Sequence, residues 1–185
     1  EQALANFQRS VAIADKLLTQ NPDSALASRD LSVSLNQLGD FLLSRGQPGD
    51  AEQALANFQR SLLVTDRLLT QNPNSTQAIR DVSVSLFKLG SFLSTRGQAS
   101  DAEQAFAYFK RCNDLFEQLL KENPSSGRAS RDVSVSLNQL GVFLASRGQA
   151  GDANQALIYF TRSLEVRERL LMQNPDSAQA ARDVS

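Results

Sequence analysis

The chain has 185 residues, of which 41% are hydrophobic and 21% are charged, and this composition is that of an ordinary globular protein rather than a disordered one. Its formal net charge is -1 and it has no run of like charges, which argues against nucleic-acid binding, because that function needs a basic patch. It has no histidine and only one cysteine, so we expect no cofactor, no metal site and no histidine-dependent catalysis.

The sequence also lacks the features that direct a protein to a membrane. No apolar stretch approaches the length of about 18 to 20 residues that spans a bilayer, and the first residues, EQALANFQRS, have no signal-peptide pattern. We therefore expect a cytoplasmic protein with no membrane partner. Because the chain begins without Met and inside a repeat, we also expect it to be part of a longer protein.

Closely similar sequences recur every 51 residues. The segment LGDFLLSRGQPGDAEQA from Leu38 returns as LGSFLSTRGQASDAEQA from Leu89 and as LGVFLASRGQAGDANQA from Leu140. This period divides the chain into three whole repeats and a partial one, at residues 1–51, 52–102, 103–153 and 154–185. We treat residues 1–185 as one domain built from these repeats.

Each repeat predicts two helices, and the chain begins within the second helix of a pair. We name the first helix of a pair helix A and the second helix B. The first helix A is predicted over residues 24–45, where leucines recur every three or four positions on one face. The helix B that follows is predicted over residues 51–71, where the apolar stripe has the same spacing.

The residues between the helices predict where each helix starts and stops. Asp50 and its equivalents, Asp101 and Asp152, are predicted to cap helix B, with a glutamine three residues later in a capping-box arrangement. An Asn-Pro pair ends each helix B, because the residue before proline disfavours the helical conformation. One of the next two residues, Asp23 or Ser24 in the first case, is predicted to cap helix A. Such short connections predict an all-α stack of antiparallel helical hairpins.

This pattern resembles the tetratricopeptide repeat, which reads W-x2-L-G-x2-Y, then A-x3-F, then P over about 34 residues. The chain reads Leu35-x2-Leu38-Gly39-x2-Leu42, then Ala54-x3-Phe58, and the pattern returns from Leu86 and Leu137. It is similar to a long-helix member of that family, and the resemblance implies a right-handed α-solenoid. The matching structural positions are Leu38, Gly39, Ala54, Phe58, Leu89, Gly90, Ala105, Phe109, Leu140, Gly141, Ala156 and Phe160.

The glycines of this pattern predict a close approach between helices. Glycine inside a helix costs about 1 kcal/mol relative to alanine, so a glycine at Gly39 indicates a packing requirement. We expect helix A to approach helix B at this position, with Phe58 wedged beside it. The same contact is expected between Gly90 and Phe109 and in the following pair.

The resemblance also implies a function. Proteins of this family are scaffolds and adaptors, and they bind extended peptides or partner proteins in a groove lined by helix A. We expect this chain to do the same and to be no enzyme. The residues predicted to contact the partner are Arg29, Asn36, Asp40, Arg80, Phe87, Ser91, Arg131 and Asn138.

Two features of this predicted groove have alternative interpretations. Arg29, Arg80, Arg131 and Arg182 recur once per repeat, each followed by an aspartate, and they could grip carboxylates or phosphates of a peptide. The favoured alternative is that each arginine pairs with an aspartate of the next hairpin. Phe87 replaces an asparagine of the flanking repeats, and it is either a binding anchor or a residue that packs on the neighbouring hairpin.

The sequence permits two competing functions to be considered, self-association and catalysis. Solenoid ends that lack a neighbouring repeat expose apolar faces, so copies of this chain could associate end to end. An enzyme would need an acid-base pair, and Asp50 and Glu52 are carboxylates close in sequence. The capping role accounts for Asp50, and Glu52 is replaced by Asn154 in the last repeat, so catalysis is not expected.

Overall fold

The structure, a computed structural model, describes residues 1–173, and all regular secondary structure within them is α-helical. The all-α class is therefore confirmed. Arg182 and Asp183, the last pair of the arginine and aspartate series, lie outside the described residues. The helices are α1 (Gln2–Gln20), α2 (Ala25–Arg45), α3 (Asp50–Gln71), α4 (Thr76–Arg96), α5 (Asp101–Glu122), α6 (Gly127–Arg147) and α7 (Asp152–Gln173).

The even-numbered helices are copies of helix A and the odd-numbered helices are copies of helix B. Two compact units contain them, Glu1–Phe92 and Leu93–Ser185. Unit 1 contains α1, α2, α3 and most of α4, and unit 2 contains the end of α4 followed by α5, α6 and α7. Each unit is built from hairpins that pack side by side.

In unit 1 the first two helices run antiparallel. The rings of Phe7 and Phe41 lie with their centroids 5.0 Å apart, and the hydroxyls of Ser10 and Ser34 lie 3.1 Å apart. Later residues of α1 therefore contact earlier residues of α2, which is the antiparallel arrangement that the short connection requires.

The next helix of unit 1, α3, lies between α2 and α4. Ser61 donates its hydroxyl hydrogen bond to the carbonyl oxygen of Ser32 on α2 at 3.2 Å, and its Oγ lies 2.8 Å from that of Ser85 on α4. Phe58 also meets Phe92 on α4, with ring centroids 6.2 Å apart. The buried interior of the unit therefore forms where one helix B is covered by two copies of helix A.

Unit 2 repeats this packing. The Ser136 hydroxyl donates to the side-chain oxygen of Asn113 at 2.9 Å, which joins α6 to α5. The Ser163 hydroxyl donates to the carbonyl oxygen of Ser134 at 2.7 Å, which joins α7 to α6. The second of these bonds joins the same repeat positions as the bond from Ser61 to Ser32, two repeats later in the chain.

The predicted approach at the glycines is present in both units. A Cβ atom added to Gly39 would lie 2.5 Å from the ring of Phe58, and one added to Gly141 would lie 2.6 Å from the ring of Phe160. Such separations are well inside van der Waals contact, so any side chain at these positions would displace the ring. Glycine is therefore required by packing at both places.

Helix starts agree with the sequence in one respect and differ in another. The hydroxyls of Ser24, Ser75 and Ser126 accept hydrogen bonds from backbone amides three residues later at 3.1 to 3.2 Å, so the serine rather than the residue before it caps helix A. The predicted capping role of Asp50 is wrong. Gly49 occupies the cap position of α3, and the Asp50 carboxylate turns back toward the preceding loop.

Candidate functional site

The predicted groove of unit 1 is formed by α2 and α4, which lie side by side and run parallel. Arg29 of α2 donates from its Nε to Asp81 of α4 at 3.0 Å, and Lys88 of α4 donates from its Nζ to Asp40 of α2 at 2.7 Å. The two ion pairs stand at opposite ends of the shared face. They are separated by about 16 Å along α2, at about 1.5 Å per residue.

At Arg29 the structure shows the pairing with the next repeat. Its Nε lies within 3.3 Å of both oxygens of Asp81, and that carboxylate also accepts a hydrogen bond from the side chain of Gln77 at 2.9 Å. The Asp81 carboxylate is largely buried, whereas the guanidinium is about one third exposed. The arginine therefore tethers α2 to α4 while part of it still faces solvent.

Between the two ion pairs, the shared face has two open apolar side chains. Val33 on α2 is 46% exposed and Val84 on α4 is 51% exposed. Valine gains by burial, so an open pair on neighbouring helices indicates a surface that another molecule can cover.

Asn36 and Asp40 lie on the same face of α2 as Val33, at spacings of three and four residues. Asn36 is buried, with 7% of its surface exposed, and its side-chain oxygen accepts no hydrogen bond within residues 1–173. A buried acceptor left without a donor costs about 1 to 3 kcal/mol. The corresponding residue of α4, Phe87, is half-buried, and Ser91 lies one turn beyond it.

Unit 2 presents one copy of this surface, on α6. Val135 and Val142 are exposed there, and the predicted groove residues Arg131 and Asn138 are half-buried. Arg80, on α4 of unit 1, is half-buried as well. The structure therefore brings the predicted residues together as two rows in unit 1 and as one row in unit 2.

A second set of polar residues was missed by the sequence reasoning. These residues lie in the three loops that lead from a helix A to the next helix B. In each loop the arginine that ends helix A pairs with the aspartate that begins helix B, with an Nε to Oδ2 distance of 2.8 Å: Arg45 with Asp50, Arg96 with Asp101 and Arg147 with Asp152. A backbone amide of the loop donates to the same carboxylate oxygen at 2.9 to 3.0 Å. We call each of these arrangements a loop clasp.

The carboxylates of the loop clasps are buried, and their arginine partners lower their pKa values. All three carboxylates are almost fully inaccessible. Hydrogen bonds from Arg45 hold the pKa of Asp50 below its usual value and outweigh the opposing effect of burial, and the pKa of Asp101 is lowered in the same way by Arg96. The signal that could have revealed the clasps is the sequence R-G-Q-x-x-D, which fills all three loops.

The loop clasp of Arg147 is also supported by aromatic rings. Its guanidinium lies 5.5 Å from the ring centre of Phe106 on α5 and 5.6 Å from that of Phe143 on α6. A cation at this distance from a ring is attracted by the negative face of the π system. Arg147 therefore joins three helices of unit 2, and the role it plays is structural rather than chemical.

Within residues 1–173 no three side chains of the metal-binding types stand close enough together to hold a metal ion. None of the helices in that same stretch has the length and apolarity needed to cross a bilayer.

The packing defines a helical-repeat protein, in which equivalent helices begin 51 residues apart, at Ala25, Thr76 and Gly127 for helix A. No protein-family model matches the chain, and neither does any curated protein.

Three solved structures that are similar to the chain each share no more than 17% of its sequence. One named "DHF58 filament" is 17% identical with a TM-score of 0.41 and is matched over 98% of this chain and 88% of its own. The de novo designed helical repeat protein DHR64 is 16% identical with a TM-score of 0.37, over 100% of this chain and 90% of its own. A TPR repeats protein from Bacteroides fragilis is 12% identical with a TM-score of 0.31, over 97% of this chain and 89% of its own.

Proposed function

We propose that this chain is a non-catalytic scaffold, and that it binds an extended peptide or a segment of a partner protein across α2 and α4 of unit 1. The observation that supports this proposal is the open apolar pair Val33 and Val84, framed by an ion pair at either end of the same face. The apolar pair provides binding energy through burial, and the framing charges set the position of the peptide.

The dimensions of this face suit a short extended segment. Extended peptide advances about 3.3 Å per residue, so the distance of about 16 Å between the framing ion pairs matches about five residues. Side chains of an extended segment alternate in direction, so every second one would contact Val33 or Val84. The resemblance to the tetratricopeptide family leads to the same kind of ligand.

Polar groups on this face would bind the backbone of the peptide. Asn36 lies just below this face, and its buried side-chain oxygen accepts no hydrogen bond within residues 1–173, so a rotation of the side chain toward a ligand amide would remove the cost of burying that oxygen alone. The exposed part of Arg29 and the ion pair of Asp40 with Lys88 would contact polar or charged groups at the two ends. Phe87 and Ser91 would line the α4 side, and Arg80 precedes them on that helix. Arg131 and Asn138 would supply the corresponding surface on α6.

Selection of peptides from a random display library against the whole chain tests this proposal. Enriched peptides are expected to bind in solution and to lose at least about tenfold in affinity when Val84→Asp or Val33→Asp is introduced, because a charge there opposes an apolar contact. Leu63→Asp is the matched control, since Leu63 is a highly exposed apolar residue on α3 rather than on this face. Failure to enrich any peptide, or equal loss in all three variants, would contradict the proposal.

A second candidate function is self-association, and the exposed apolar residues of α7 favour it. Leu157, Ile158, Leu164 and Met172 are all exposed on that helix. Light scattering coupled to size-exclusion chromatography over a wide range of concentration tests this candidate. A mass that climbs with concentration, and returns to that of a monomer in Leu164→Asp, would support it. A constant mass near 20.2 kDa would exclude it.

A further inference from the structure

The first helix of unit 1 exposes side chains that its nearest copy buries. Residues 1–10 and 52–61 have the same ten-letter sequence, EQALANFQRS, and they lie in the first turns of α1 and α3. Ala54 and Ser61 of α3 are fully buried, whereas Ala3 and Ser10 of α1 are exposed. One helix therefore carries a packing face that its surroundings leave open.

The same difference continues to the end of the helix. Leu17 of α1 is 42% exposed, whereas its copies Leu68, Leu119 and Leu170 are each no more than 4% exposed. Ile13, one turn earlier than Leu17, is more than half exposed. These residues form a continuous apolar stripe on α1, which we call the open face.

In the copies, helix A of the preceding pair covers this face. On α3 the cover is α2, whose Gly39 fits against Phe58 and whose Ser32 carbonyl accepts the hydrogen bond from Ser61. On α7 the cover is α6, where Gly127 lies close to Leu170. Because Ala3, Ser10 and Leu17 are exposed, no helix within residues 1–173 takes this place on α1.

The open face borders a cleft of about 350 Å³ between α1 and α2. Ser10, Ile13 and Leu17 line it from α1, and Arg29, Asp30 and Val33 line it from α2. A helix seated there would contact both α1 and α2, as α2 itself contacts both α3 and α4. The cleft therefore has the surroundings that a helix A has elsewhere in this unit.

Within the described part of the chain, one aspartate in the cleft, Asp30, also lacks the arginine that pairs with the equivalent aspartate of the next repeat. Asp81 of α4 receives Arg29 of the preceding helix A, at 3.0 Å. Its copy on α2 is Asp30, which is exposed and forms no ion pair within residues 1–173. A helix A seated in the cleft would bring its own arginine to Asp30, as α2 brings Arg29 to Asp81.

We propose that the cleft between α1 and α2 binds an amphipathic helix with the pattern of this chain's own helix A. The bound helix carries an arginine that pairs with Asp30 and, ten residues later, a glycine that admits the ring of Phe7. That spacing is the spacing of Arg29 and Gly39 in α2. This binding site is separate from the surface on α2 and α4 that is proposed to hold an extended peptide.

The first test uses a fluorescein-labelled peptide of residues 24–45 as the probe and the whole chain as its receptor, with binding measured by fluorescence anisotropy. Saturable binding is expected, with at least about a tenfold loss in Leu17→Asp and none in the control Leu63→Asp. Asp30→Arg is expected to lose binding to this peptide, and a peptide that carries Arg29→Asp is expected to restore it. This charge exchange distinguishes the cleft from any other apolar surface of the chain.

The free peptide lacks the packing that supplies most of the stability of an amphipathic helix, so a tethered probe provides a second measurement. A copy of residues 24–51 is placed directly before Glu1, which recreates the junction between Ala51 and Glu52. The extended protein is expected to unfold at a higher Tm than the original chain, and the increase is expected to disappear when the copied glycine, equivalent to Gly39, is replaced by leucine.

Four results would overturn the proposal. The first is a tethered helix that leaves the Tm unchanged, and the second is an increase in Tm that does not depend on the glycine. The third is peptide binding that is equal in the wild type and Leu17→Asp. The fourth is a mass that rises with concentration, falls in Leu17→Asp and is not lowered by the peptide. That result would mean that a second copy of the chain occupies the cleft instead.

Discussion

Helices α1 and α3 contain the same ten-residue sequence near their starts and have opposite surroundings. In α3 these residues are enclosed by α2 and α4, and Phe58 is 1% exposed, whereas Phe7 at the same position of α1 is only half-buried. The sequence therefore makes both helices equally able to pack, and the neighbouring helices decide how much packing each achieves. In a repeat protein, burial belongs to the interface between repeats and not to the repeat itself.

The largest difference in stability between the two helices is expected when the phenylalanine of the shared sequence is replaced by alanine. Phe58→Ala should lower the free energy of unfolding by about 3 to 5 kcal/mol, because it empties a fully enclosed position beside Gly39 and Phe92. Phe7→Ala should cost clearly less, because Phe7 keeps solvent on one side. Urea unfolding of both variants measures the difference, and equal losses would mean that α1 is as well packed as α3.

A second prediction concerns the glycine against which Phe58 packs. Gly39→Ala should destabilise the protein by about 1 to 3 kcal/mol, although alanine is the better helix former, because the added Cβ would lie 2.5 Å from the ring. In the Phe58→Ala background the same change should be neutral or stabilising, since the obstructing ring is gone. A double-mutant cycle by urea unfolding measures this coupling. Additive effects would show that the glycine serves some other need.

The serine that ends the shared sequence provides a smaller and closely matched test. Ser61→Ala removes two buried hydrogen-bond contacts and leaves the Ser32 carbonyl without this donor, so a loss of about 1 to 2 kcal/mol is expected. Ser10→Ala should change stability by less than about 0.5 kcal/mol, because Ser10 is exposed and its hydrogen bond with Ser34 is only partly buried. Thermal unfolding of the two variants is the measurement. A cost for Ser10→Ala that equals that of Ser61→Ala would contradict the assignment of the open face.

The smallest expected effect on stability is a pH dependence that comes from the start of α3 and has no counterpart at the start of α1. Neither helix has a side-chain cap, but the first residue of α3, Asp50, is held by a loop clasp. Asp50, Asp101 and Asp152 all have lowered pKa values, so each stabilises the fold above its ordinary pKa of about 3.9, and this contribution disappears as the pH falls through the lowered value.

The Tm is therefore expected to decrease as the pH falls from about 4 toward 2, and the decrease should be smaller in Asp101→Asn. That variant should also have a lower Tm at pH 7, because Arg96 loses its charged partner. The control is Asp66→Asn, which changes an aspartate that is outside the loop clasps. An acid-dependent decrease of the same size in Asp101→Asn and in the wild type would show that the clasps do not cause it.

Local pattern was enough to predict the helices and their ends. Leucines every three or four residues, serines before helix A and Asn-Pro after helix B act within one or two turns, so the sequence determines their effect without reference to the rest of the chain. The approach of Gly39 to Phe58 could also be predicted, because a glycine inside a helix needs a packing reason and the family pattern supplies the partner.

The positions that face a neighbouring repeat could not be predicted in this way. The sequence left two interpretations for Arg29, a contact with a bound peptide or a pairing with an aspartate of the next hairpin, and only the arrangement of α2 beside α4 determined that it meets Asp81. Asn36 was expected to line an open groove, and it is buried beneath that surface, so its place as a binding residue remains a proposal. Asp50 was assigned to a cap because its neighbours in sequence allow one, whereas the fold turns its carboxylate to Arg45 and Gln47.

The sequence by itself determined a chain of equivalent helices with a fixed period and a fixed packing stripe, because these depend on local propensity and on residue spacing. Only the tertiary structure decided which copy of that stripe is covered. The ten residues shared by α1 and α3 show this directly, since an identical sequence is buried in one place and open in the other. The physical reason is that burial requires a second surface, and that surface comes from a helix elsewhere in the chain.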